Sequence, residues 1–137
     1  MNYNLVVLLF VASAFVSAEP PPPLSDLAEM QWRYRIIVVQ GDGVVEAYQQ
    51  SLLDSSPELD ERDVIWLLID EDALVSNYPG PLADDLIVNI HRFYPSRSDG
   101  VLLIGKDGGV KARASTLETL DLFSLIDAMP MRRQEMQ

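Results

Sequence analysis

Apolar residues along this chain form continuous runs of strand length and, between them, stripes at helical spacing. Residues 34–39 (YRIIVV) are rich in β-branched residues and predict a strand. Residues 64–69 (VIWLLI) are apolar without interruption, which predicts a strand covered on both faces of a sheet. A helix is predicted between them from the spacing of Val44, Val45, Tyr48 and Leu52. Asp42 precedes this helix, where an N-cap residue is expected.

The next segments predict a second helix and a hairpin. Pro81 suits the first turn of a helix, and Pro95 ends that helix. Its apolar stripe consists of Leu82, Leu86, Ile90 and Phe93. Residues 101–104 predict a third strand, and 106–109 (KDGG) have the composition of a tight hairpin turn. Residues 110–114 are then the return strand of the hairpin. These two strands are therefore predicted to be antiparallel.

A closing helix completes the element order. Ser115 and Glu118 match a capping box. The helix that follows is lined by Leu120, Phe123 and Ile126 and ends before Pro130. The order β-α-β-α-β-β-α predicts an α/β domain in which a mixed sheet carries helices on both faces.

The N-terminal segment has the pattern of an export signal. Residues 5–16 are apolar except for Ser13. This run is shorter than the about 20 residues that are needed to span a bilayer. We predict a signal peptide over 1–18, cleaved between Ala18 and Glu19; the alternative is an uncleaved N-terminal anchor. The predicted domains after it are a proline-rich leader with a short helix capped by Ser25 (19–31), the folded domain (32–129) and a charged C-terminal tail (130–137).

Composition narrows the classes of function. The chain carries 21 acidic and 10 basic residues, a net charge of −11, which disfavours nucleic acid and anionic lipid as partners. A basic partner or a cation is attracted by the same charge, which also favours solubility. Cysteine is absent, so disulfides, zinc thiolates and cysteine nucleophiles are excluded.

Few residues qualify as candidates for chemistry. His91 is the single histidine and has no evident partner, so it is interpreted as a surface residue. Residues 70–72 (DED) follow a predicted strand and offer oxygen ligands, but a solvated acidic face between 54 and 85 is the preferred reading. Asp42 is better explained as an N-cap than as a general base. We assign no catalytic, cofactor-binding or metal-binding residue.

Basic residues near the C-terminus leave two interpretations open. Lys106 and Asp107 are explained by turn geometry. Arg132 and Arg133, next to Met131, either fold back onto the acidic face as an internal clamp or contact the carboxylates of a partner protein. Met131, Arg132 and Arg133 are therefore the candidate partner-contact residues.

Residues 101–136 resemble the C-terminal signature of a family of exported bacterial proteins of unknown function. The specific parts are IGKDGGVK and DAMPMRRQEM, with a looser match over 24–39 that includes Trp32 and Arg35. The resemblance implies a thioredoxin-like or peroxiredoxin-like domain, also found in animal extracellular sushi-repeat and coiled-coil-domain matrix proteins. The element order above is the core order of that fold. Residues 40–45 (QGDGVV) and 99–100 (DG) stand where such enzymes carry their cysteine pair and cis-proline.

The resemblance thus implies a scaffold without its usual redox chemistry. The leading hypothesis is a non-catalytic module, periplasmic or secreted, that binds an unidentified protein and no cofactor, nucleic acid or membrane once the signal is removed. The first alternative is a carboxylate- or metal-dependent envelope enzyme that uses Asp42 and residues 70–72. The second is a stress-related envelope protein with a structural role.

Export predicts a defined mature terminus. Mass spectrometry of the protein from its native host should find Glu19 as the first residue, because cleavage is expected after Ala18. Intact Met1 on a soluble cytoplasmic protein would contradict the predicted localisation.

Overall fold

A computed structural model describes residues 21–71, 73–95 and 100–137. The strands are β1 (Arg35–Gln40), β2 (Val64–Asp70), β3 (Ala73–Ser76), β4 (Val101–Ile104) and β5 (Val110–Ala114). The helices are α1 (Val44–Asp54), α2 (Ser56–Glu61), α3 (Leu86–Phe93), α4 (Leu122–Asp127) and α5 (Pro130–Glu135), with 3₁₀ turns at Leu27–Met30 and Leu117–Thr119. In this part of the chain, none of the helices has both the length and the apolarity needed to cross a bilayer.

Within the described residues, the strands form one mixed sheet in the order β3-β2-β1-β4-β5. β1 and β2 are parallel, whereas β4 is antiparallel to β1 and is joined to β5 by a hairpin. β2-β1-β4-β5 has the order and strand directions of a thioredoxin-like core, and β3 adds an antiparallel edge beside β2. The predicted α/β class with a mixed sheet and helices on both faces is confirmed.

Two apolar layers cover the two faces of the sheet. Ile36 and Val38 of β1 belong to one layer, and Ile37 and Val39 belong to the other, because successive side chains of a strand point to opposite faces. The first layer is completed by the 3₁₀ turn at Leu27–Met30 and by α3, and the second by α1, α2 and α4. This arrangement explains why 36–39 in β1 and 64–69 in β2 are apolar without interruption.

The N-terminal segment is packed into the first layer. Leu24 is 1% exposed, and Leu27 and Met30 are also buried. The Leu24 amide donates to the Pro81 carbonyl at 2.9 Å, and the Ala83 amide donates back to the Leu24 carbonyl at 2.9 Å. From Leu24 onward, the residues predicted as a leader therefore contribute to the core. The predicted cleavage site at Ala18 and Glu19 lies outside the described residues.

These contacts also explain why the second helix starts later than predicted. Pro81 is not its first residue, because Pro81 to Ala83 pair with Leu24, and α3 begins at Leu86. Leu86 and Ile90 are buried as the stripe predicts. Phe93, predicted to face the core, is 60% exposed.

Three predicted helix caps were wrong. Gly43, with a φ of 73°, is the N-cap of α1 in place of Asp42. Asp26 caps the first 3₁₀ turn by accepting a hydrogen bond from the Ala28 amide at 2.9 Å, whereas the Ser25 hydroxyl donates to Glu29. α4 begins at Leu122, several residues after the predicted capping box at Ser115, because the 3₁₀ turn Leu117–Thr119 intervenes.

Three elements were not predicted: α2, β3 and α5. α2 (SPELDE) is mostly polar and Leu59 is its one buried residue, so it has no apolar stripe. β3 is four residues long and only partly buried, so it lacks the apolar run that marks β1 and β2. A turn with Glu71 at a φ of 53° connects it to β2. Residues after Pro130 were expected to form a tail, but they form α5, with Pro130 in its first turn, where a missing amide is tolerated.

The packing of Leu24 predicts a large loss of stability on truncation. Leu24→Ala should lower the free energy of unfolding by about 2–5 kcal/mol, the cost of a cavity in a core. Val88→Ala is a matched control, because Val88 lies on α3 but is 58% exposed, and it should change stability by at most about 0.5 kcal/mol. Denaturant unfolding measures both, and equal losses would place Leu24 outside the core.

Candidate functional site

The first βα loop occupies the place where a thioredoxin-type enzyme keeps its cysteines. Gln40 to Val44 line a shallow depression of about 250 Å³ together with Gly100 and Ser115. Its floor is tightly packed: the Gln40 amide donates to the Gly100 carbonyl at 3.0 Å, and a Cβ on Gly100 would lie 2.5 Å from the Gln40 carbonyl oxygen. Of the described residues in this lining, Asp42 is the one with a carboxylate, and the chain has no cysteine to supply a thiol.

The other residues considered for chemistry are dispersed. His91 is exposed on α3, Asp70 is half-buried at the end of β2, and Glu71 is exposed in the turn that follows. Asp72 lies outside the described residues. Across the described ranges, no group of three or more histidine, cysteine or acidic side chains is placed to share a metal ion.

At the end of the sheet where β1 begins, mostly buried basic side chains form ion pairs with partly exposed carboxylates. We call this cluster the ion network; its cations are Arg35, Arg62, Lys106 and Arg132, and its anions are Glu61, Asp63, Asp127 and Glu135. These residues come from β1, α2, the loop before β2, the β4–β5 turn, α4 and α5. The network therefore ties the last two helices to the sheet.

Glu135 is the centre of one half of the network. Its two carboxylate oxygens accept hydrogen bonds from the two terminal nitrogens of Arg35, each at 3.2 Å. The Lys106 ammonium donates to the same carboxylate at 2.6 Å and to Asp63 at 2.8 Å. Arg35 is 1% exposed and Lys106 9% exposed, so both cations depend on these carboxylates for compensation.

Asp127 is the centre of the other half. Arg62 donates two hydrogen bonds to the Asp127 carboxylate, from Nε at 3.0 Å and from Nη2 at 2.9 Å. Arg132 donates to Asp127 at 3.1 Å, to the Glu61 carboxylate at 2.9 Å and to the Glu61 carbonyl at 3.2 Å. Planar guanidinium groups can meet several acceptors at once, which suits both arginines to this role.

These contacts hold both central carboxylates in their ionised form. Burial alone raises the pKa of Glu135, but hydrogen bonds from Lys106 and Arg35 and their positive charges outweigh it, and the net pKa lies below the usual value. The pKa of Asp127 is also lowered, first by its hydrogen bond from Arg62 and then by Arg132, against a smaller opposing effect of burial. The lowered pKa values of Glu135 and Asp127 therefore favour the negatively charged form of both carboxylates.

The network accounts for several residues that the sequence left open. The sequence left two interpretations of the arginines open. Arg132 is 4% exposed and forms the internal clamp. Arg133 is exposed, and Met131 is 37% exposed. Asp107 fits the predicted turn, because it accepts from the Gly109 amide at 2.9 Å, but Lys106 belongs to the network. Sequence reasoning missed Glu135, although an arginine three residues before a glutamate is a usable signal for an ion pair along a helix.

A cavity at the first apolar layer is a separate feature. We call it the aromatic cleft; about 350 Å³ in volume, it is lined by three aromatic rings (Tyr34, Phe93, Tyr94), two carboxylates (Asp26, Asp107), the apolar side chains Leu27, Ile36 and Ile104, and Ala28, Gln31, Gly105 and Gly108. It lies where the 3₁₀ turn, the end of α3 and the β4–β5 turn meet. Burial, and then the negative charge of Asp26, raise the pKa of the Tyr94 phenol.

Hydrogen bonds fix the walls of the aromatic cleft. Gln31 donates from Nε2 to the Asp107 carbonyl at 2.8 Å, and the Trp32 amide donates to the Lys106 carbonyl at 2.6 Å. Gln40 donates from Nε2 to the Tyr94 carbonyl at 3.0 Å, which anchors the end of α3 to β1. These hydrogen bonds hold the segments around the cleft in place, so the cleft is preformed.

The fold and the two sites define a thioredoxin-like α/β domain with an internal ion network and an open aromatic cleft. Residues 26–135 match the family described as "Domain of unknown function (DUF4174)". The chain belongs to this family, and the match includes Arg35 and Glu135, which form an ion pair in the network. No curated protein and no solved structure matches the chain significantly.

Adjacent arginines on α5 provide a direct test of the clamp. Arg132→Ala removes hydrogen bonds from a nearly buried guanidinium to two carboxylates and should lower the free energy of unfolding by about 1.5–3 kcal/mol. Arg133→Ala, at the exposed neighbouring position, should change it by at most about 0.5 kcal/mol. Denaturant unfolding of the two variants is the measurement, and similar losses would show that Arg132 is not a clamp.

Proposed function

We propose that this domain acts after export, in the periplasm or outside the cell, as a non-catalytic module that binds another protein through the aromatic cleft. The observation that carries the proposal is Phe93, an aromatic residue on the core-facing stripe of α3 that is 60% exposed at the cleft. Exposed aromatic side chains next to a concave surface are typical of binding sites.

The exposure and backbone conformation of Trp32 also support a partner-binding site near the cleft. Trp32 is 62% exposed, and its φ of 69° is unusual for a bulky residue. Its amide is held by the carbonyl of Lys106 in the turn that borders the cleft. A strained backbone that keeps a tryptophan in solvent favours a functional role, because neither the exposure nor the strain stabilises the isolated domain.

The lack of cysteine supports binding over redox chemistry. The depression at 40–44 has the position of a thioredoxin active site, but Asp42 is the one carboxylate among its described lining residues. Because Arg132 is buried in the ion network, we propose that the partner contacts the cleft and not Arg132. Met131 and Arg133 are exposed and remain candidate contact residues. Export, the relation to thioredoxin-like families and the relation to animal matrix proteins stay predictions.

Affinity capture with paired variants on α3 tests the proposal. Phe93→Ala should abolish capture of the partner from the exported-protein fraction of the native host, because it removes the exposed ring at the cleft. Val88→Ala truncates another exposed apolar residue of the same helix and should leave capture unchanged. Both variants should keep the wild-type thermal midpoint. A partner retained by Phe93→Ala would contradict binding through the cleft.

A further inference from the structure

We infer that the aromatic cleft recognises a cationic side chain, a lysine or arginine on a basic segment of the partner protein. This inference rests on the proposed function and adds the chemistry of the partner. Among the described residues, the lining of the cleft includes the acidic residues Asp26 and Asp107 and no lysine, arginine or histidine. The volume of about 350 Å³ lies within the ~300–1,000 Å³ typical of sites that hold a small ligand or a side chain.

The aromatic lining is suited to a cation. Tyr34, Phe93 and Tyr94 present rings to one cavity, and the face of an aromatic ring attracts an ammonium or guanidinium group. The chain itself gives an example, because the guanidinium carbon of Arg33 lies 5.5 Å from the centre of the Tyr34 ring. Arg33 is exposed and is not part of the lining.

The two carboxylates of the cleft differ in their availability. Asp107 already forms an ion pair with Lys111 at 2.7 Å. Asp26 accepts a hydrogen bond from the Ala28 amide, and no cationic side chain of the described residues lies within ion-pair distance of it. Within the described part of the chain, Asp26 is therefore the carboxylate of the cleft without a cationic partner, and it lines the same cavity as Tyr34, Phe93 and Tyr94.

The charge of the whole chain favours the same class of partner. At a net charge of −11, the protein attracts basic segments over long range, and salt screens this attraction. Long-range attraction alone does not select a site, however. The aromatic rings and Asp26 provide the local contacts that distinguish the cleft from the rest of an acidic surface.

Two fluorescent peptides of equal length test the inference by anisotropy, one alternating lysine with alanine and the other alternating glutamine with alanine. The wild-type domain should bind the basic peptide and not the neutral one. Asp26→Asn keeps an N-cap residue at this position and should weaken binding about tenfold, equivalent to about 1.4 kcal/mol. Phe93→Ala should weaken binding to a similar extent.

Asp84→Asn is the matched control, because it removes one negative charge at an exposed position outside the cleft. It should weaken binding less than about twofold, the difference expected from long-range attraction alone. An equal loss of peptide affinity in Asp26→Asn and Asp84→Asn would overturn the inference. A wild-type domain that does not bind the basic peptide would overturn it as well. Thermal midpoints of all three variants should match the wild type.

The two proposals fail in different ways. If Phe93→Ala loses the native partner but Asp26→Asn retains it, the cleft binds a protein without using a cation, and only the inference about partner chemistry is overturned. If Phe93→Ala retains the native partner, the proposed function fails, whatever the peptides do. Loss of the native partner in both Phe93→Ala and Asp26→Asn, with capture intact in Asp84→Asn, supports both.

Discussion

The carboxylate of Glu135 is the interaction on which the arrangement of this domain depends. It accepts hydrogen bonds from Arg35, at the start of the central strand, and from Lys106, in the turn after β4. Both cations are almost completely buried, and leaving a buried charge without its partner commonly costs about 3–5 kcal/mol. The sheet therefore needs the C-terminal helix in place, and α5 is a structural part of the domain.

The network also changes how the charge of the surface should be understood. Four bases and four acids neutralise each other inside it, which leaves 6 bases and 17 acids of the 10 and 21 in the chain. The four bases in the network include the buried basic residues Arg35, Lys106 and Arg132. Outside the network, acids outnumber bases almost three to one, so the rest of the protein faces its partners with a strongly negative field.

Local patterns predicted those parts of the fold that local sequence determines. β1, β2 and the β4–β5 hairpin follow from β-branched runs and a glycine-rich turn, and the mixed α/β sheet follows from their order. The start of α3 was not predictable in this way, because the pairing of Leu24 with Pro81 and Ala83 decides it. The role of α5 depends similarly on contacts between Glu135 and Arg35, which are 100 residues apart.

The candidate site was harder to predict than the fold for a geometric reason. Periodicity gives the angular position of Phe93 around the helix axis, but not whether the core extends far enough along that axis to cover it. The same limit applies to the β4–β5 turn, whose composition indicated only its shape. In the structure, the ammonium of Lys106 enters the ion network while its carbonyl holds Trp32, and Asp107 lines the aromatic cleft. One turn thus supports both sites, so the charges that fix α5 also position a wall of the cleft.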